Sequence, residues 1–183
     1  MTEETKFFID ACEKGIISVV TALINDPKVD ITHGNQRALQ SACLKGRDEV
    51  IEILLKDSRV DPTVRDNICI QCAAKSGHIK AVSLLLKDPR CDPSTDSQFS
   101  LRWSVFNGHL EIAKLLLTHP KVSLDEAVKI SEKKNDSANQ KKLIDFRNSI
   151  LPKPDIDPKQ QLIIDTLKTV TDALLKLTVE LSK

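Results

Sequence analysis

Four of the five glycines stand at equal intervals, Gly15, Gly46, Gly77 and Gly108, each 31 residues after the last. A period of that length marks a chain made of stacked copies of one small unit, none of which can bury its apolar side alone. Superimposing the segments that end on these glycines gives TKFFIDACEKG, QRALQSACLKG, NICIQCAAKSG and QFSLRWSVFNG. One small position recurs as Ala11, Ala42, Ala73 and Ser104, and an apolar position three residues earlier as Phe8, Leu39, Ile70 and Leu101. That spacing lies on one face of a helix, and the small side chain lets a neighbouring helix approach closely. After each glycine, apolar residues return at helical spacing: Val19, Val20, Leu23 and Ile24, then Val50, Ile51, Leu54 and Leu55, with equivalents through Leu86 and Leu117. Each unit is therefore expected to be two antiparallel helices joined at the glycine.

Each second helix runs into a similar stop, DPKVDIT, DSRVDPT, DPRCDPS and HPKVSLD. Pro27, Pro89 and Pro120 cannot continue a helix. The apolar residue two positions on (Val29, Val60, Cys91, Val122) is expected to seal the gap between units. Asn35, Asp66 and Ser97, again 31 apart, are residue types that cap helix starts, and that is the role expected of them.

Composition agrees with helices. Five glycines, six aromatics and no Tyr in 183 residues leave an aliphatic core and few tight turns, so the fold class is all-α. A net charge of +1 gives no general attraction to phosphate backbones, so no nucleic-acid partner is expected. No apolar run approaches the ~18 residues of a membrane span, and no membrane partner is expected either. The segment from Met1 to Lys6 has neither the basic nor the apolar part of a secretory leader. Five cysteines, an odd number, then suit reduced thiols and a cytoplasmic location, with the nucleus left open.

With Ala73-Ala74, two variable residues, Gly77-His78 and Leu84-Leu85-Leu86, and with Gly108-His109 and Leu115-Leu116-Leu117, the chain resembles the ankyrin-repeat family over about residues 5 to 122. The resemblance implies an ankyrin-type helical solenoid. It is not complete: the family's Thr-Pro-Leu-His opening is replaced by Arg37-Ala38-Leu39-Gln40, Ile68-Cys69-Ile70-Gln71 and Phe99-Ser100-Leu101-Arg102. The unit is also shorter than the family's ~33 residues. The shortening falls before the first helix, so a loop is expected where the family projects a β-hairpin. In the family, the two variable residues before the turn glycine line the concave binding face. Here they are Glu13 and Lys14, Leu44 and Lys45, Lys75 and Ser76, Phe106 and Asn107, which makes these eight the expected protein-binding residues. Leu44, Lys75 and Phe106 would form an apolar–basic–apolar ladder across it.

The expected organisation is four repeats over 1–122, a divergent capping repeat over 123–150, a proline-rich linker over 151–158 and an amphipathic helix over 159–183. The period asks for glycine at position 139, where Asn139 stands, so the register breaks in the fifth unit. In the tail, Ile163, Leu167, Val170, Leu174, Leu177 and Leu181 follow alternating steps of four and three, an a/d heptad stripe that needs a partner surface. It is expected either to self-associate, giving a homo-oligomer, or to dock.

No cofactor, metal site or catalytic residue is expected. Cys69-x-x-Cys72, with Cys91 and His78 near in sequence, is the only metal-like or redox-like spacing, but these cysteines fall at core positions of the repeat. Trp103 occupies the position of Asp10, Ser41 and Cys72, where packing along the first helices is its expected role. A helical stack offers a broad surface with no closed pocket, so the expected activity is non-catalytic binding of a protein, as an adaptor or scaffold. The alternatives are an oligomerisation module with the repeats as spacer, or a thiol metal or redox protein.

Overall fold

The computed structural model describes residues 1–151 together with Thr166 and Thr169. The chain divides into two units, Met1–Asn148 and Ser149–Lys183. In the second unit, Thr166 and Thr169 are helical and exposed; the linker and the heptad stripe from Ile163 to Leu181 lie outside the described residues.

The first unit is helical throughout, with no strand among the described residues. Its first helices are α1 (Glu3–Lys14), α3 (His33–Lys45), α5 (Val64–Ser76) and α7 (Thr95–Phe106). They alternate with the shorter α2 (Ile17–Leu23), α4 (Asp48–Leu55), α6 (Ile79–Leu86) and α8 (Leu110–Leu116). A further pair, α9 (Leu124–Lys133) and α10 (Ser137–Ile150), follows. Successive first helices from α1 to α9 pack side by side, each of α2, α4, α6 and α8 packs on the first helix before it, and these four form the other layer.

The positions that recur in the sequence are the core. Phe8, Leu39, Ile70 and Leu101 are fully buried, as are Ala42, Ala73 and Ser104, with Ala11 almost so. Val29, Val60, Cys91 and Val122 are buried in the loops, where they close the space between units as expected. The glycine at each helix junction lies in the left-handed region, from φ 63° at Gly46 to 86° at Gly77. The next backbone N–H then reaches back to the small residue's carbonyl: Ile16 to Ala11 (2.9 Å), Arg47 to Ala42 (2.9 Å), His78 to Ala73 (3.0 Å) and His109 to Ser104 (2.8 Å). This is the six-to-one closure of a helix that ends in a left-handed residue.

The same closure identifies the fifth unit. Asp136 N–H bonds Ser131 O at 2.9 Å, and the left-handed residue between them is Asn135, at φ 52°. Asn135 follows Gly108 by 27 residues, so the unit repeats the others after losing four residues, and position 139 was the wrong place to look for the turn. Between Val122 and Ala127 the chain goes straight into α9, with Ser123 accepting a hydrogen bond from Glu126 N–H at 3.2 Å. Asparagine serves because, after glycine, it is among the residues that best tolerate positive φ.

The expected capping role of Asn35, Asp66 and Ser97 is corrected. None of α3, α5 and α7 has a side-chain cap, and these residues lie at the centre of three-residue left-handed turns. The turns are Gly34-Asn35-Gln36, Arg65-Asp66-Asn67 and Asp96-Ser97-Gln98, all at φ between 47° and 65°. Such backbone costs an L-residue about 1–2 kcal/mol. What holds it is the last residue of each triplet, whose side chain is buried and bonded to the stop loop of its own unit. Gln36 Nε2 donates to Arg59 O (3.2 Å), Asn67 Oδ1 accepts from Asp92 N–H (2.8 Å), and Gln98 Nε2 donates to Lys121 O (3.2 Å). Thr5 holds the equivalent place in α1, its Oγ1 accepting from Asp30 N–H at 2.9 Å. Thr5, Gln36, Asn67 and Gln98 are 31 residues apart, a polar ladder inside an apolar stack.

The glycines at the turns are not equivalent, and this can be measured. A Cβ on Gly46 would stand 2.5 Å from His78 Nδ1, whereas one on Gly108 would meet nothing within 4 Å. Gly108→Ala should lose only the left-handed backbone term of about 1–2 kcal/mol. Gly46→Ala should lose at least about 1 kcal/mol more, because His78 must leave its hydrogen bond. Urea denaturation of the two variants measures the difference, and equal losses would show that His78 does not pack on Gly46.

Candidate functional site

The end of each first helix leaves carbonyls without partners inside the helix. Here the following unit supplies them. Arg47 Nε donates to Glu13 O (2.9 Å), His78 Nε2 to Leu44 O (3.0 Å) and Asn107 Nδ2 to Lys75 O (2.8 Å), and Lys142 Nζ donates to Phe106 O. A carbonyl only accepts, so Nε2 of His78 carries the hydrogen. His78 thus ties adjacent units. The His109 ring lies against Gly77, where a Cβ would come within 2.7 Å of it, while Asn107 makes the bond to the carbonyl.

The residues before each turn stand at the carboxy-terminal ends of the first helices. Lys14, Leu44, Lys45, Lys75 and Asn107 are exposed there; Glu13, Ser76 and Phe106 are half-buried. Leu44 is the most open apolar residue of the row, at 45% exposure. The members differ in what they already hold. Lys14 pairs with Asp10 at 2.8 Å and Lys45 with Glu13 at 3.6 Å. The Asn107 side chain is engaged by the carbonyl of the preceding unit.

At the other end of the row the neighbours are rings. Phe99, Trp103 and Phe106 follow one another at steps of four and three on α7, so they share a face. Phe99 and Trp103 lie 5.7 Å apart between centroids, and Trp103 and Phe106 lie 5.2 Å apart edge to face. The Lys75 ammonium sits 5.0 Å from the centre of the Trp103 ring, and that of Lys142 4.3 Å from the centre of Phe106. Trp103 is the half-buried centre of this ring cluster on α7, with Lys75 of α5 against its face. Lys142 reaches Phe106 from α10, across the shortened fifth unit.

Four of the five cysteines belong to the core. Cys12, Cys43, Cys69 and Cys91 are buried and Cys72 is half-buried. Burial pushes the thiols of Cys12 and Cys91 up to about 12 and that of Cys43 well above the ordinary range. Cys72 is raised by burial as well. Such thiols hold little thiolate, the form that ligates metals and attacks electrophiles.

Residues 59–127 match the model of the ankyrin-repeat family in three copies. This stretch consists of ankyrin repeats. It runs from the loop before α5 into α9, and the helix pairs α1–α2 and α3–α4 ahead of it repeat the same closure and the same core positions. Among curated proteins no relative matches the chain. Ankyrin repeats are in general protein–protein interaction modules and typically non-catalytic. No helix among the described residues is long and apolar enough to cross a membrane.

The buried thiols give a direct test. At about pH 8, a group titrating near 12 is ionised to roughly one part in ten thousand. Cys12 and Cys91 should therefore react with a thiol reagent many times more slowly in the native protein than in denaturant, and so should Cys43, which is fully buried. Labelling followed by mass spectrometry reads the sites, and rapid native labelling of all three would place them outside the core.

Proposed function

We propose that this chain is a non-catalytic adaptor that binds a protein along the free side of its first helices, through Glu13, Lys14, Leu44, Lys45, Lys75, Ser76, Phe106 and Asn107. The supporting observation is the row itself. The backbone carbonyls beneath it are bonded by the next unit, which fixes the row, while Leu44 is exposed and the ring cluster of α7 is only half-buried. Apolar residues held exposed on a rigid frame suit an interface. The ordinary activity of ankyrin repeats points the same way. The raised thiols of Cys12, Cys43 and Cys91 speak against cysteine chemistry.

Position-specific crosslinking tests this. A photoreactive residue in place of Leu44 should give a discrete covalent adduct in extract of the native cell, and Leu44→Asp beside a reactive group at Ser76 should weaken it. The same group in place of Lys87, exposed on the opposite layer, should give none. Equal adducts from both positions would refute binding along the first helices.

For the tail, we propose that the stripe of Ile163, Leu167, Val170, Leu174, Leu177 and Leu181 buries itself, by self-association or by docking. The support is its heptad spacing, which leaves a continuous apolar seam. Leu167→Asp with Leu174→Asp places charge in that seam, which is costly when buried and unpaired. If the stripe self-associates, light scattering should show an oligomer for the parent and a monomer for the variant. If it docks within the chain, the parent is a monomer and the variant melts lower. A monomeric parent whose melting is indifferent to both changes would remove both roles.

A further inference from the structure

The binding row is not uniform, and the way its two ends handle charge defines a ligand. In the amino-terminal half the lysines are neutralised, Lys14 by Asp10 and Lys45 by Glu13. In the carboxy-terminal half, neither Lys75 nor Lys142 pairs with a carboxylate among the described residues; each ammonium rests on an aromatic ring instead, that of Lys142 while also donating to Phe106 O. The shortened fifth unit adds to this. Counting back 27 residues, Ile130 takes the place of Trp103, Lys133 that of Phe106 and Lys134 that of Asn107, so two more exposed lysines follow the ring cluster along the same rows. By repeat register the apolar strip takes in Ile68 and Cys72, at the places of Phe99 and Trp103 one unit earlier, and Ile130, at that of Trp103 one unit later, each half-buried. Glu126, which by the same count takes the place of Phe99, accepts a hydrogen bond from Gln98 Nε2 at 3.0 Å.

We infer that this end of the row binds an acidic segment of a partner protein, one that carries a bulky apolar side chain flanked by carboxylates. The inference rests on the protein-binding reading above and narrows it. A ligand that covers the rings of Trp103 and Phe106 also covers the ammonium groups lying on them. A covered cation without a counter-charge is costly, so an apolar ligand binds here only if it brings its own anions. A basic or neutral segment meets the same surface and leaves the lysines unpaired, which selects against it. Phosphate backbones are a poorer fit: the strip is aliphatic at both ends, and the paired carboxylates Asp10 and Glu13 interrupt any cationic track along the rest of the row.

Trp103 is the only tryptophan and there is no Tyr, so the intrinsic fluorescence of the full chain reports on this patch. The probes are a synthetic peptide of alternating glutamates and phenylalanine or leucine, the same peptide with lysine for every glutamate, and a single-stranded oligothymidylate. The acidic peptide should shift the Trp103 emission and bind at least about tenfold more tightly than the lysine peptide. Lys75→Glu with Lys142→Glu should remove that preference. Lys133→Glu with Lys134→Glu, whose side chains hold no bonded partner among the described residues, should weaken the acidic peptide in the same direction without disturbing Phe106. Equal binding of the two peptides, displacement of the acidic peptide by the oligothymidylate, or no response to any probe overturns the inference. Adducts from position 44 with no acidic preference would sink the ligand chemistry alone. An acidic preference with no adducts specific to position 44 would leave the patch its ligand and remove the extended row.

Discussion

Each first helix ends in a residue at positive φ, with the next N–H turned back onto the carbonyl of the small residue four positions before that end. Everything else depends on this closure. It reverses the chain within one residue, so the second helix returns along the first and the small side chain lies where the two come closest. It also bares the last carbonyls of the first helix toward the following unit, which answers with Arg47, His78, Asn107 and Lys142. A local backbone constraint thereby becomes a contact between units, and stability in a stack of this kind is a sum of such nearest-neighbour contacts. The constraint is reciprocal at Gly46 and Gly77, whose missing side chains are the space that His78 and His109 occupy.

The loops repeat the logic at the other end of each unit. Three successive residues in the left-handed region would be costly in isolation, yet Gln36, Asn67 and Gln98 turn that backbone inward and bond the stop loop ahead of the next unit. The stops add their own ties. Arg59 reaches Ile24 O at 2.8 Å and Arg90 reaches Val60 O at 3.1 Å, each while held by the aspartate two residues before it. Lys121 joins Asp92 at 2.7 Å. Burial works against the Asp92 carboxylate, but the bonds from Lys121 and Ser94 outweigh it and bring it down to about 2. Its folded value is depressed, so this tie is present above the ordinary carboxylate range and is lost only as the pH falls toward 2.

Much of this was legible in the sequence. Glycine, small and apolar positions that recur at one period locate the turns, the two helices and the buried loop valines, because each of those roles admits few residue types. The polar ladder has the same period but was not recognised, since Thr5, Gln36, Asn67 and Gln98 share no chemistry beyond a hydrogen bond and polar residues ordinarily read as surface. The fifth unit was misplaced for a related reason. Serine and asparagine replace alanine and glycine at Ser131 and Asn135, and the four missing residues move the closure away from position 139. The signal was there, in SEKKN laid beneath ACLKG and SVFNG.

That misplaced register changes the meaning of the carboxy-terminal lysines. Read with the break at position 139, Lys133, Lys134 and Lys142 are a solvated face of a capping unit. Read with the closure at Asn135, two of them extend the rows of the first helices, and the third lies on Phe106. The pairing of cation with ring is the physical point: an ammonium on an aromatic face keeps part of its hydration and contributes on the order of 0.5–1 kcal/mol at an exposed site, far less than a carboxylate offers once water is excluded. Rings and lysines together therefore form a surface that is stable when open and gains most from a ligand that is apolar and anionic at once. The amino-terminal half, with its lysines already paired, gives such a ligand no comparable gain.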